Sequence, residues 1–247
     1  MNTDMNEHRS NAVWPSSFAG MLAAGVNAVA THPAVMVAYM AALLALSFSG
    51  SGLQTVLGGP PPGPDAGRDT ILRYVAAGLA IQTVFVPFQS VLDACILSAA
   101  RLACRNESVR AGSVMEGIQR YVVRMFLMNA LSIALILVCP TQVLVLVAAF
   151  YLRFLTVYIV YEDVSVGEAF RKGTSMMFNR NSWFMQLYLL ATLCSTMVMI
   201  GMQEGAGGSL GTSIKVLGNV ILVYVDLVVI YTSFMLFSRM RKMEDGR

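Results

Sequence analysis

Charged residues are scarce in this chain of 247 residues: they make up 13% of it, whereas 56% of the residues are hydrophobic. A typical soluble domain carries about 25% charged residues. The shortfall, together with a mean hydropathy of +0.64, leaves too little polar surface to cover a water-soluble globule of this size. We therefore predict an integral membrane protein. The opening residues are polar and mixed in charge and do not follow the pattern of a signal peptide.

Residues and motifs typical of catalysis are also few. The two histidines, His8 and His32, are far apart, and none of the four cysteines forms a CxxC pair. This spacing disfavours a disulfide framework or a metal site, and we interpret the cysteines as apolar packing residues. No Walker loop, GxSxG or HExxH motif occurs. We predict that the protein is not an enzyme and holds no cofactor or metal.

What the chain has in abundance is long apolar segments, and a membrane-spanning helix needs about 20 such residues. Six candidates lie at 33–54, 74–100, 121–139, 142–161, 183–202 and 214–238. Pro87 predicts a kink in the second. The connection 50–70 is rich in Gly and Pro and predicts an exposed extracytoplasmic loop that cannot continue a helix. Residues 139–141 and the Gly-rich stretch 203–213 predict turns on the same side.

The basic residues are distributed unevenly between the two sides that six spans define. Thirteen fall on the side of the termini, three fall on the other side, and one lies inside a span. The thirteen are Arg9, Arg101, Arg105, Arg110, Arg120, Arg124, Arg171, Lys172, Arg180, Arg239, Arg241, Lys242 and Arg247. Because cytoplasmic loops carry the excess of Lys and Arg, we predict a protein of the cytoplasmic (inner) membrane. Both the polar N-terminal tail, 1–15, and the C-terminal tail, 239–247, should be cytoplasmic.

Two similar phrases precede apolar runs: SVMEGIQR begins at Ser113 and SVGEAFRK begins at Ser165. In each, the serine and the glutamate three residues later, Glu116 or Glu168, match the capping box that starts a helix. Apolar side chains then fall on one helical face and cations on the other, as in helices that lie in the membrane interface. A weaker copy starts at Ser17.

These phrases predict an all-α fold, a single membrane domain over 1–247 built from three repeats. Each repeat would be an interfacial amphipathic helix followed by a helical hairpin, with units at 17–100, 113–161 and 165–238. The alternative is that the similarity reflects only the ordinary way in which a cytoplasmic connection starts a capped helix.

The stretch 151–190 resembles the glycerophosphodiester phosphodiesterase membrane-domain family and related six-span bacterial and archaeal membrane proteins. The features that carry the resemblance are an arginine in the fourth span, Arg153, an acidic residue at its exit, Glu162, the run 168–171 and Ser175. The opening FAGMLAAGVNAVATHPAVMV is similar to the family's entry helix. The proline usual near the end of the fourth span is missing from TVYIVYED. The resemblance implies the fold and the membrane location. It does not imply hydrolysis, which in that family belongs to a separate soluble domain.

Three ionisable residues lie within the apolar spans: Asp93, Arg153 and Asp226. A charge in mid-span costs about 2.5–3.5 kcal/mol and should face a partner or water. We favour a pair between Arg153 and Asp226, because both lie halfway along their spans, over a pair with Asp93, which is nearer the cytoplasmic end. The three residues are either a polar headgroup site or a structural ion pair that fixes helix packing.

A second set of candidate residues lies at the cytoplasmic interface. Glu162 and Asp163 adjoin the fourth span, where we favour interface anchoring over cation binding. Glu168, Arg171 and Lys172 lie on the interfacial helix that follows. The basic helix faces predict attraction to anionic lipid headgroups. Membrane topology already accounts for these cations, so we predict no nucleic-acid binding.

These observations favour a non-enzymatic envelope or lipid-handling protein, or an assembly factor for a membrane complex. In the second case its partner would be another membrane protein or a second copy of itself. The alternative is a transporter of a lipid or small amphiphile that uses the Arg153 and Asp226 charges. An enzyme acting on lipid headgroups would need catalytic groups converging at one depth, and the sequence offers no such set.

Overall fold

A computed structural model describes residues 17–60, 62–63, 65–105, 107–138, 142–179, 182–205 and 211–245. These residues form eight helices and no strand, which confirms the all-helical class. The helices are α1 Phe18–Thr31, α2 Pro33–Gly58, α3 Arg68–Cys104, α4 Ala111–Val138, α5 Gln142–Glu162, α6 Val166–Asn179, α7 Ser182–Gly205 and α8 Gly211–Asp245. The predicted tail at 1–15, the predicted turn at 139–141 and part of the Gly-rich stretch, 206–210, lie outside the described residues.

Four helical segments in the described part of the chain are long and apolar enough to cross a membrane: 37–58, 68–104, 183–202 and 213–241. They agree with a multi-pass membrane protein. They correspond to the first, second, fifth and sixth predicted spans. The predicted third and fourth spans fall within α4 and α5, which are not among these four.

The loop predicted over 50–70 is wrong at both ends. Helix α2 continues to Gly58 and α3 already begins at Arg68, so the connection is only 59–67. A helix tolerates Gly at a cost of about 1 kcal/mol, and no proline occurs until Pro60. Gly59 ends the helix with φ at +82°, a conformation that Gly adopts at little cost.

The predicted capping serines behave differently from one another. The Ser165 hydroxyl accepts a 3.3 Å bond from the Glu168 N–H and begins α6, and Ser17 does the same for α1 through Gly20 at 3.1 Å. The capping box predicted at Ser113 is wrong. Nothing breaks the helix just before this residue, so α4 begins two residues earlier, at Ala111.

Helix α4 also runs without interruption to Val138, so the first predicted interfacial segment and the span after it are one helix. The second segment, by contrast, is a separate helix, α6, followed by α7. The two similar phrases therefore occupy different local structures.

The predicted C-terminal tail is largely helical, since α8 extends to Asp245. The Arg239 guanidinium lies 4.5 Å from the centre of the Trp183 ring in α7, and Met240 is buried. A cation over an indole ring is a favourable contact, and it ties this extension to the bundle.

Helices α5 and α8 supply much of the core. α3 packs along α2 and α4, while α8 receives α7 on one side and α1 on another. The second half of α5 is buried throughout from Phe154 to Tyr161. The rings of Phe154, Phe184 and Phe237 pack together in edge-to-face and tilted arrangements, with ring centres 4.6–5.6 Å apart. Large apolar side chains are exposed mainly on α2, α3, α4 and α7, as expected of surfaces that face lipid.

Candidate functional site

The three charges of the apolar segments meet around Arg153 on α5. Its Nε and Nη2 donate to the two carboxylate oxygens of Asp226 on α8, at 3.1 and 2.6 Å. Its Nη1 donates to Asp93 Oδ1 on α3, at 2.9 Å. The two pairings that the sequence posed as alternatives therefore coexist, and the bond to Asp226 has the parallel, two-pronged form that suits a planar guanidinium.

Two uncharged side chains complete this arrangement, which we call the Arg153 cluster: Asp93, Arg153, Asp226, Asn129 and Tyr39. The Asn129 amide on α4 donates to Asp93 Oδ2 at 2.9 Å. The Tyr39 hydroxyl on α2 donates to Asp226 Oδ2 at 3.4 Å. Five helices thus contribute one residue each, and both aspartates are held by more than one donor.

Burial differs sharply within the Arg153 cluster. The Asp93 side chain is 2% exposed, Arg153 is 20% exposed, and Asp226 is 33% exposed. One guanidinium faces two carboxylates, so the ionised cluster carries a formal charge of −1. Asp93 is the enclosed partner, whereas the Arg153 and Asp226 side chains are partly accessible.

A cleft of about 580 Å³ lies between α2, α3, α4 and α8. Its walls are mixed: apolar side chains alternate with amides and hydroxyls. The polar residues that line it are Ser47, Gln54, Gln82, Gln89, Asn129 and Ser132. This lining offers uncharged donors and acceptors along a hydrophobic passage, a composition suited to a ligand with both polar and apolar parts.

The cleft borders the Arg153 cluster. Asn129 belongs to both, because it lines the cleft and donates to Asp93. On α8, the lining residue Val223 stands one turn before Asp226, and residues three or four apart on a helix are surface neighbours. Leu43 of the lining likewise lies one turn after Tyr39 on α2, and Gln89 lies one turn before Asp93 on α3.

A second ionic group joins the end of α5 to α4. Asp163 follows α5 with φ at +57°, and the Val164 N–H returns to the Ile159 carbonyl at 3.2 Å, which is a Schellman ending. Its carboxylate accepts hydrogen bonds from Arg120 and Arg124. An aspartate thus occupies the position that glycine usually takes in this ending, and its carboxylate connects two helices.

Two carboxylates near the end of α5 and the start of α6, those of Asp163 and Glu168, form ion pairs that stabilise their charged form. Burial raises the pKa of Asp163, but the hydrogen bonds from Arg124 and Arg120 outweigh it and bring the pKa below its ordinary value. The hydrogen bond and charge of Lys172, 2.6 Å away, lower the pKa of Glu168.

The remaining interface candidates are not drawn into one site. Glu162 is half-buried beside Asp163, whereas Arg171 is exposed on α6. Glu168 pairs with Lys172 on one face of α6. Asp163 pairs instead with Arg120 and Arg124 of α4, so the two ionic groups are separate. Among the described residues, no three His, Cys, Asp or Glu side chains are grouped so as to hold a metal ion.

Sequence reasoning missed Tyr39 and Asn129. The signal for Asn129 was present, since an amide inside the apolar run MFLMNALSIAL is costly unless it is hydrogen-bonded. Tyr39 gave no comparable signal, because tyrosines are ordinary in apolar helices. The link from Arg120 and Arg124 to Asp163 was also missed, since the arginines were assigned to a polar face.

Together the fold and the Arg153 cluster define an all-helical chain compatible with several membrane crossings. Comparison with family models, curated proteins and solved structures gives no match. The resemblance of 151–190 to a membrane-domain family thus remains a prediction.

Proposed function

We propose that this is a six-span, non-enzymatic lipid-handling protein of the cytoplasmic membrane, with both termini in the cytoplasm. It would bind one amphiphile in the cleft between α2, α3, α4 and α8. The observation that carries the proposal is the meeting of the cleft with the Arg153 cluster. An ion-paired cluster that served packing alone would not need a polar-lined cleft beside it.

The topology rests on the length of the helices and the placement of the cations. Helices α4 and α5 have 28 and 21 residues, enough to cross a bilayer at 1.5 Å per residue. Counting them as spans puts thirteen of the seventeen basic residues on the side of the termini.

Labelling of single cysteines in a cysteine-free variant tests this topology. A cysteine at Glu116 or Glu168 should react with an impermeant maleimide only in inverted vesicles, and one at Asp65, in the 59–67 loop, only from the opposite side. Glu116 and Glu168 on opposite faces would refute the topology.

The chemistry of the cleft narrows the ligand. The Arg153 cluster has a formal charge of −1, so an anionic group entering it would meet net repulsion in a low-dielectric environment. The amides of Gln82 and Gln89 favour hydroxyl, amide or phosphodiester groups as partners. We infer that the ligand is a lipid with a neutral or zwitterionic headgroup, its acyl part against the apolar lining.

Two glycines on α2 offer a matched test. A Cβ on Gly50 would point toward Phe85 at an ordinary 3.5 Å, within the cleft lining, whereas a Cβ on Gly52 would meet nothing within 4 Å. Gly50→Leu should therefore fill the cleft while Gly52→Leu leaves it open. Each change replaces one helix-weakening glycine by leucine, so the two variants are matched in their effect on helix propensity.

Native mass spectrometry of protein extracted in mild detergent reads the outcome. Wild type and Gly52→Leu should retain a lipid, and Gly50→Leu should lose it while remaining folded, as a cooperative thermal transition would show. Equal lipid retention in all three would refute cleft binding. Retention of a fixed protein partner instead of lipid would favour the assembly-factor hypothesis.

The exposed third of the Asp226 side chain favours a second candidate, a transporter. A carrier needs a charged group that its ligand can reach, and the Asp226 side chain is the most accessible of the three ionic side chains. Vesicles of phosphatidylcholine with fluorescent phosphatidylethanolamine measure movement between leaflets by dithionite quenching. Transport predicts faster movement with wild type than with Asp226→Asn. If wild type and Asp226→Asn move the lipid at equal rates while native mass spectra still show bound lipid, the protein binds the lipid but does not transport it.

A further inference from the structure

A second cavity lies away from the cleft, between the end of α3 and the beginning of α4. It measures about 260 Å³ and shares no lining residue with the cleft. In the proposed topology it faces the cytoplasm. Gly117 lets α4 approach α3 closely beside the pocket, since a Cβ there would collide with the Ser98 side chain. We call it the α3–α4 pocket.

One wall of the α3–α4 pocket carries a buried hydroxyl with nothing to bond. Ser98 is 3% exposed, lines the pocket, and its Oγ has no hydrogen-bond partner among the described residues. A buried hydroxyl left unpaired costs about 1–3 kcal/mol. Rotation of the Ser98 side chain toward the pocket would let a ligand oxygen accept its proton and remove that cost.

Three arginines line the same pocket: Arg101, Arg105 and Arg120. Arg120 is engaged by Asp163. Arg101 donates to the Tyr121 hydroxyl, which uses one of its five N–H groups. Within the described part of the chain neither Arg101 nor Arg105 forms an ion pair, so their guanidinium groups keep donors for an anion.

Two carboxylates, Glu107 and Glu116, also line the pocket. Both residues are exposed, so solvent screens their charge more than it screens the half-buried Arg101. Arg105 is exposed as well, so Arg101 carries the charge that solvent screens least in this lining.

We propose that the α3–α4 pocket binds a phosphate group. Guanidinium groups match the oxygens of a phosphate through paired, charge-assisted hydrogen bonds, and the Ser98 hydroxyl adds a donor from the buried side. The phosphate belongs either to the headgroup of an anionic lipid or to a free ion from the cytoplasm. The pocket holds the phosphate group itself, while a lipid's chains would lie outside it along the membrane interface.

Three variants test the proposal. Ser98→Ala removes a hydroxyl that has no partner in the protein, so it should leave folding intact and weaken binding about fivefold, as for one neutral hydrogen bond. Arg105→Gln should weaken it about tenfold, since a charge-assisted bond is lost. The control is Arg110→Gln, which makes the same charge change at an exposed residue of the same connection, outside the lining.

Binding is measured on full-length protein in neutral detergent, as the rise of the unfolding midpoint with ligand. The probes are inorganic phosphate and dioctanoyl phosphatidic acid, with sodium chloride at equal ionic strength as the control. The proposal expects a rise with one or both probes, weakened by Ser98→Ala and Arg105→Gln but changed less than twofold by Arg110→Gln. A rise with the lipid alone assigns the phosphate to a headgroup, and a rise with phosphate alone assigns it to a soluble ion.

Three results would overturn it. The first is that neither probe raises the midpoint. The second is that sodium chloride raises it as much as the probes do. The third is that Arg110→Gln weakens binding as much as Arg105→Gln does. Because Gly50→Leu alters the other cavity, lipid loss in that variant leaves this measurement unaffected, and the two proposals fail separately.

Discussion

Replacing Arg153 by glutamine should destabilise the protein more than replacing either of its carboxylate partners by asparagine. The wild-type cluster has one cation and two anions, joined by bonds of 2.6–3.1 Å. Arg153→Gln leaves two carboxylates without a counter-charge, one of them 2% exposed. Asp93→Asn or Asp226→Asn leaves one cation and one anion, which is a neutral pair.

The magnitudes follow from burial and charge. Breaking a buried ion pair by removing one partner costs about 3–5 kcal/mol, and for a chain of this size each kcal/mol lowers the unfolding midpoint by about 2–4 °C. Arg153→Gln should therefore lower the midpoint by about 6–20 °C. Each asparagine variant loses charge-assisted hydrogen bonds worth about 1.5–3 kcal/mol, hence about 3–12 °C. Arg153→Lys keeps the positive charge but loses the planar, two-pronged hydrogen bonding, so its unfolding midpoint should lie between those of wild type and Arg153→Gln.

Thermal unfolding of detergent-purified variants, followed by tryptophan fluorescence and by the monodisperse fraction, measures this order. The double variant Arg153→Gln with Asp93→Asn gives the sharpest check. It should be more stable than Arg153→Gln alone, because the second change removes an unpaired buried carboxylate, so the two effects are not additive. Additive costs, or an Arg153→Gln midpoint no lower than that of Asp226→Asn, would refute the ionic cluster as the source of stability.

Two further outcomes are expected away from the Arg153 cluster. Gly25→Val should lower the midpoint by several degrees, because any Cβ at Gly25 collides with the Thr232 side chain where α1 crosses α8, whereas Gly201→Val, with nothing within 4 Å, should not. Equal effects would contradict close packing there. The folded-state pKa of Asp163 lies below its unfolded value of about 3.9, so its stabilising contribution is complete above about pH 5 and is lost as the pH falls through the folded value. Asp163→Asn should therefore flatten the fall of the midpoint between pH 5 and pH 3, and an unchanged slope would contradict the ion pairs.

Features that depend on neighbours along the chain could be predicted from the sequence. The prediction that Ser165 caps a helix is confirmed, because the hydrogen bond that makes the cap joins residues only three apart in the sequence. The same reasoning failed at Ser113, where a favourable serine was outweighed by the absence of any residue that would stop the helix from beginning earlier. Gly50 and Gly52 show the same limit: glycine weakens a helix locally, but packing of α2 against α3 decides that it continues.

The sequence by itself determined the helical class, the apolar segments and the need of three buried charges for partners, since composition and the cost of burying a charge are properties of each segment alone. Only the tertiary structure decided that Arg153 contacts both aspartates, which are 60 and 73 residues away along the chain, and that Tyr39 and Asn129 join them. Such contacts depend on the rotation and crossing of helices, which side-chain packing sets after the helices have formed. The cleft and the α3–α4 pocket were decided in the same way, because a cavity is the space that packed helices leave between them.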